Sequence, residues 1–229
     1  MELNVFQTGP LAVNSYVVEL TPKNVFVVDP ADCAFSGDRF TIINYLNEKK
    51  LNPAAVILTH GHFDHVSGLK DFKTAFPNVP VLIHQADKDF IGQNSLALQK
   101  KSLSLMDFED FLPSVTSLPE PTEFLQKDFV LGDLKCFSNC EAEVIKSLKE
   151  WKILHTPGHT KGSVCLYNQT EKKLLSGDCV FYHSYGRTDL PSGDENEMQD
   201  TLRWIYKNLS GDTKVYPGHD YYGFNLSEN

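Results

Sequence analysis

A short, wholly apolar run, Ala54-Ala55-Val56-Ile57-Leu58, leads without a break into Thr59-His60-Gly61-His62-Phe63-Asp64-His65-Val66-Ser67-Gly68. The run reads as a strand covered on both faces, the kind found in a layered sheet. The residues after it lie beyond a strand's carboxyl end, where open α/β sheets place their sites. In an extended stretch alternate residues point one way, so His60, His62 and Asp64 are expected to share a side while His65 diverges. One metal ion would not readily take all four groups; two neighbouring ions would. A lone histidine is more often a core or surface residue than a ligand. With 8 histidines in 229 residues, this pattern arises by accident in on the order of one chain in a thousand. Four ligand-type residues within six positions reverse the usual reading.

Three further segments repeat the presentation. Leu154-His155-Thr156-Pro157-Gly158-His159 runs from a strand into a glycine-rich turn, Leu174-Leu175-Ser176-Gly177-Asp178 ends a strand in an acid, and Val215-Tyr216-Pro217-Gly218-His219 ends another in a histidine. Gly-Asp and Pro-Gly are common turn pairs, and each segment alone would read as a turn. Beside an existing histidine cluster they form a set. His84, His155 and His183 are left over and read as structural or loop residues.

Short apolar runs alternate with helix-like stretches, which predicts a layered α/β architecture. Val17-Val18 and Val25 to Val28 flank Thr21-Pro22-Lys23-Asn24 as a hairpin. Residues 36–50 read as a helix with Phe40, Ile43, Tyr45 and Leu46 near one face. A second helix is expected over 66–76, stopping before Pro77, and an amphipathic one over 195–209. Strands are expected at 81–83, 152–154, 163–167, 173–175 and 214–216. Residues 86–121 have helix-like pieces and several prolines, and read as a variable insertion over the site. Val144, Leu148 and Trp151 keep helical spacing, so 136–151 reads as a helix, with a hairpin as the alternative.

Composition bounds the partners. With 41% hydrophobic and 22% charged residues the chain has the makings of a sizeable core. A net charge of -9 disfavours nucleic acid, whose phosphates need a basic face. No apolar run approaches the ~20 residues of a membrane span, and the start has no basic segment followed by an apolar one. A cytoplasmic protein with no membrane partner is expected. The odd set of cysteines, Cys33, Cys136, Cys140, Cys165 and Cys179, reads as free thiols.

The segment Thr59 to Gly68 resembles the signature Thr-His-x-His-x-Asp-His-x-x-Gly of the metallo-β-lactamase superfamily, and His159, Asp178 and His219 match its remaining ligand positions in order. The resemblance covers nearly the whole chain. It implies an αβ/βα four-layer sandwich, here a single domain over residues 1–229, with metals at one rim. It further implies that His60, His62 and His159 hold one ion, that Asp64, His65 and His219 hold the other, and that Asp178 bridges them. The cofactors implied are two divalent metal ions, zinc first, with iron or a mixed pair as the alternative.

Within the superfamily, residues 181–198, with Gly186-Arg187-Thr188-Asp189-Leu190-Pro191-Ser192-Gly193-Asp194, and residues 215–226 are similar to glyoxalase II-like hydrolases, which cleave hydroxyacyl-glutathione thioesters. In that group a basic residue near Arg187 can contact glutathione, so Arg187 is a substrate-binding candidate; its alternative role is a loop-anchoring ion pair. Full-length glyoxalase II adds a helical domain that helps bind glutathione, whereas this chain stops at Asn229. The β-lactamase branch itself fits less well, since many members carry a cysteine where Asp178 stands, and RNA-processing members need an extra domain. Tyr216 to Phe224 also resembles the persulfide dioxygenases, which hold one iron through the equivalents of His60, His159 and Asp178, a facial arrangement suited to oxygen chemistry.

The expected activity is hydrolysis of a small-molecule thioester or ester by a hydroxide that two metals generate from water. Asp64 is the expected catalytic residue, orienting that nucleophile, and a thiolate leaves without a strong general acid. A dioxygenase, a lactonase or other ester hydrolase, and a non-enzymatic metal-binding scaffold are the alternatives.

Overall fold

The computed structural model describes residues 2–229. Strands β1 (Leu3–Thr8), β2 (Val13–Thr21), β3 (Asn24–Val28), β4 (Asn52–Ile57), β5 (Val81–His84) and β6 (Glu123–Leu125) form one sheet in chain order. A second sheet runs β11-β10-β9-β8-β7, from β7 (Trp151–His155), β8 (Val164–Asn168), β9 (Lys173–Gly177), β10 (Lys214–Pro217) and β11 (Phe224–Asn225). The expected hairpin is the antiparallel β2–β3 pair. From β3 to β6 the strands are parallel, so each connection must cross over a face. Helices α1 (Thr41–Lys49), α2 (Phe63–Val66), α3 (Leu69–Ala75) and α4 (Ser95–Leu105) make those crossings. In the second sheet α6 (Glu195–Asn208) carries the chain from β9 to the parallel β10.

Period-2 alternation builds the layers. Val17, Val27, Val56, Val81 and Ile83 point to the helices outside the first sheet, where Ile42, Leu46, Leu69 and Phe72 meet them. Their neighbours Val18, Phe26, Val28, Ile57 and Leu82 point the other way, onto Trp151, Ile153, Leu166 and Leu175 of the second sheet. Leu154, Cys165, Leu174 and Val215 then face Met198, Leu202 and Ile205 of α6. Apolar faces on both sides of two stacked sheets leave one arrangement, helices, sheet, sheet, helix. This is the αβ/βα sandwich. Among the described residues no helix is long and apolar enough to cross a membrane, and all five cysteines are free.

Several expected boundaries move for identifiable reasons. The first helix starts at Thr41, not 36. Asp38 draws the preceding segment around its carboxylate, accepting from the Cys33 and Gly9 amides at 2.8 and 2.7 Å and from Ser36 Oγ at 2.7 Å. Phe40, at φ 70°, stands outside the helix and is 38% exposed, so it does not share the buried face. The helix expected over 66–76 is two helices, α2 beginning three residues early. The break at Ser67-Gly68 is held by Ser67 Oγ donating to Ala31 O at 2.7 Å and by the Gly68 amide donating to Pro30 O at 2.9 Å. Helix α5 (Ala142–Leu148) is present, but Trp151 belongs to β7 and packs edge-on against Phe26 with ring centroids 5.4 Å apart. Its indole fills the seam between the sheets. In the 86–121 region, 3-10 turns at Gln85–Phe90 and Glu109–Val115 flank α4.

Candidate metal centre

Strand ends converge at one rim of the sandwich. His60 and His62 follow β4, Asp64 and His65 sit on α2, His159 follows β7, Asp178 follows β9 and His219 follows β10. All seven predicted side chains come together there. His62 Nδ1 lies 2.8 Å from His159 Nε2, which is 3.2 Å from His60 Nε2. Nitrogens this close cannot all carry protons. Burial pushes the His62 pKa down to about 3, sends His60 well below its usual range and lowers His159, so the three imidazoles are neutral and offer lone pairs.

A second group lies beside the first. His65 Nε2 is 3.2 Å from His219 Nε2, and Asp64 Oδ2 is 3.3 Å from His219 Nε2 and 3.7 Å from His65 Nε2. The chain turns helical at Phe63, so Asp64 and His65 do not diverge as an extended stretch would make them; both reach this group. Asp178 serves both groups. Its Oδ1 is 3.3 Å from His65 Nε2 and its Oδ2 is 3.4 Å from His159 Nε2.

The electrostatics ask for cations. Burial opposes charge on Asp178 and Asp64, yet the surrounding histidines outweigh it: Asp178 is held well below the usual carboxylate range and Asp64 below it. Burial likewise opposes charge on His65 and His219, and carboxylates, Asp178 foremost, pull both upward. A buried anionic pair thus draws protons onto imidazoles that a metal could occupy instead. Asp178 Oδ1 is buried with no hydrogen-bond partner, an atom otherwise costly to bury. Neutral imidazoles, ionised carboxylates and this orphaned oxygen fit divalent metal ions.

Partners behind the rings fix which nitrogen faces inward. The Thr59 hydroxyl donates to Asp29 Oδ2 at 2.6 Å, leaving its oxygen to accept from His60 Nδ1 at 3.1 Å. His65 Nδ1 donates to the same Asp29 Oδ2 at 2.9 Å. His159 Nδ1 donates to Arg187 O at 2.6 Å and His219 Nδ1 to Leu11 O at 3.1 Å. His62 turns Nδ1 inward instead, and its ring is held by packing against Phe90, centroids 5.5 Å apart.

The profile that describes the metallo-beta-lactamase superfamily matches residues 8–219. The chain belongs to this superfamily. The hydroxyacylglutathione hydrolase GloC of Haemophilus influenzae is 27% identical over 97% of the chain and 92% of its own length. Among solved structures, BLEG-1, a B3 metallo-beta-lactamase, superposes with a TM-score of 0.79 at 27% identity, over 99% of this chain and 95% of that one. The di-iron-bound form of TTHA1623 gives 0.76, also at 27%, over 98% and 96%.

In this member of the superfamily the rim carries two positioning carboxylates that sequence reasoning passed over. Asp29 also accepts from the Thr59 amide at 2.8 Å. Asp87, fully buried, accepts from the Gly61 amide at 3.1 Å, the Thr160 hydroxyl at 2.7 Å and the Gly162 amide at 2.8 Å, so it ties the His60–His62 loop to the loop of His159. Each follows a buried strand, Val25-Phe26-Val27-Val28 and Val81-Leu82-Ile83, the same signal that singled out Asp178. Arg187 lines the cavity above the donors, but its guanidinium forms a bidentate ion pair with Asp189 at 2.6 and 2.8 Å. His84 and His155 stack on each other, centroids 4.2 Å apart, and join neither donor group.

Proposed function

We propose that the protein hydrolyses a small-molecule thioester with two divalent cations. His60, His62 and His159 would hold one and Asp64, His65 and His219 the other, with Asp178 shared. The observation that carries this reading is Asp178, whose carboxylate lies between the two donor groups, Oδ1 beside His65 and Oδ2 beside both His159 and His219. A single-ion dioxygenase site held by His60, His159 and Asp178 would leave His62, Asp64, His65 and His219 outside its ligand set. The similarity to a hydroxyacylglutathione hydrolase supports the same choice.

When bound, such cations lower the pKa of water towards neutrality and polarise a carbonyl. The chain's own residues do the rest. Asp64, 5% exposed at the cavity floor, is placed to orient the nucleophile by accepting its proton's hydrogen bond. Leu11, Phe63, Met106, Phe181 and Leu190 narrow the approach and keep bulk water off the reacting carbonyl. A thiolate is a good leaving group, so hydrolysis proceeds without a dedicated acid.

Metal analysis paired with a substrate panel tests the reading. Two equivalents per chain and thiol release from an acyl thioester, at a turnover on the order of 10 per second, are expected. One iron per chain with oxygen uptake on glutathione persulfide would replace it with the dioxygenase.

A further inference from the structure

His219 is the least enclosed of the seven donors. Its side chain is 16% exposed, against 9% for Asp178 and less for the rest. With little packed around it, the ring is aimed by its own backbone and by Leu11 O, which Nδ1 meets at 3.1 Å. That backbone is the turn after β10, Pro217 to Asp220. Asp220, directly behind the ligand, holds φ at 61°, a left-handed conformation that an L-residue keeps only where its surroundings impose it.

The hold on this turn comes from the other sheet. Asn14, the second residue of β2 and fully buried, donates both amide hydrogens across the seam, to Pro217 O and Asp220 O at 3.1 Å each, and so brackets His219. Its Oδ1 accepts from Gln7 Nε2 at 3.2 Å, which fixes the way the amide faces. Joining the sheets does not need this side chain, because the Asn14 backbone already donates to Gly218 O at 2.7 Å and the Tyr16 hydroxyl to Pro217 O at 2.5 Å. Neither of those bonds reaches Asp220. Leu11 lies in the turn of the same β1–β2 hairpin, so one hairpin grips the His219 ring and the chain on both sides of it. Resting on the two-cation reading above, we propose that Asn14 is a positioning residue for the ion held by Asp64, His65 and His219, fixing the direction of the His219 ring through Asp220. His60, His62 and His159 hang on Asp87 and on the Arg187 carbonyl instead, so the ion among them lies outside its influence.

Titration of the metal-stripped chain with zinc, in competition with a chromophoric chelator, gives two stepwise constants, and His219→Ala shows which belongs to the Asp64–His65–His219 group. Asn14→Ala keeps the backbone bond to Gly218 O. It is expected to weaken that constant about tenfold, the lower end for a residue that orients a ligand, and to leave the other within about twofold. Added to His219→Ala, it is expected to change nothing further. Tyr16→Phe frees Pro217 O of one donor but leaves Asp220 held, and is expected to lower unfolding stability without moving either constant. Asn14→Ser keeps one donor and serves where Asn14→Ala does not fold, with a loss of about threefold expected in the same constant. An equal fall in both constants, no fall in either, or the same fall from Tyr16→Phe would overturn the assignment and leave the two-cation hydrolase standing. A parent that takes up a single equivalent would remove that reading, and this inference with it.

Discussion

Asp29 spends both carboxylate oxygens holding other groups in place: Oδ1 fixes the Thr59 backbone, and Oδ2 takes the Thr59 hydroxyl and the His65 ring. Asp29→Ala leaves both rings free to turn, and metal affinity is expected to fall about 10–100-fold, read by competition with a chelator; unchanged affinity would mean that Asp29 only supports the fold. Gly218 makes a second single-residue case. A methyl there would overlap Asp178 Oδ1 and press on His65 Cε1, so Gly218→Ala is expected to cut bound metal from two equivalents to one or none while the chain stays folded by circular dichroism. Asp32 gives a pH-dependent outcome. Burial raises its pKa to about 6 from the usual 3.8, against the Ile42 amide hydrogen bond that lowers it. The folded value lies above the unfolded one, so the contribution to stability is full below pH 4 and disappears as pH climbs through 6. Asp32→Asn is therefore expected to be more stable than the parent by about 2 kcal/mol at pH 7.5, with the gap closing towards pH 4 in urea titrations. A gap that stays constant with pH would show that Asp32 is not titrating in the fold. The seven donors were legible because imidazoles and carboxylates at strand ends carry their chemistry in the residue type. Asp29 and Asp87 were not, because the place after a buried strand marks an acid without saying what it holds, and their partners lie 36 and 73 residues away.

At the scale of elements, period-2 alternation made the strands readable, since one apolar face per layer leaves little choice of register. Helix ends were less readable. The residues that set them act across the chain: Asp38 binds the Gly9 amide 29 positions away, and Ser67 binds Ala31 O 36 away. Val144, Leu148 and Trp151 kept helical spacing because a helix ending and a strand starting can share an apolar phase for one turn. The loops that present the donors depend on Asp87 in the same long-range way. Removing its carboxylate leaves the Gly61 and Gly162 amides without acceptors in a dry interior and the Thr160 hydroxyl with Ser163 Oγ alone, while it relieves an acid that burial has raised to about 6. The lost hydrogen bonds outweigh that relief. Asp87→Ala is expected to cost about 3 kcal/mol in urea unfolding and to speed amide exchange in residues 60–62 and 158–162 together. Loosening of one loop alone would show that Asp87 does not couple them.

The whole molecule is two sheets whose facing sides share one core, and the donor cluster straddles the same seam. His60, His62, Asp64 and His65 come from the first sheet's connections, His159, Asp178 and His219 from the second's. Bound cations would therefore act as a cross-link between the halves, adding to Trp151 and its neighbours deeper in the seam. The size of that contribution follows from mass action: a ligand at a thousand times its dissociation constant adds about 4 kcal/mol. In a domain of this length each kcal/mol moves Tm by roughly 2–4 °C. Stripping metal with a chelator is therefore expected to lower Tm by on the order of 10 °C, and re-addition should restore it. Charge acts in the same direction, since removing cations leaves Asp64 and Asp178 to be neutralised only by protons drawn onto His65 and His219. The loss should accordingly be larger at pH 8 than at pH 6, because the stripped fold must hold those protons above the range in which an ordinary imidazole gives them up, and that costs stability as pH rises. Calorimetry of the stripped and loaded protein at the two pH values measures both effects. A Tm that ignores the chelator would mean that the seam is closed by its apolar core alone and that the donors hold no ion at the concentrations used.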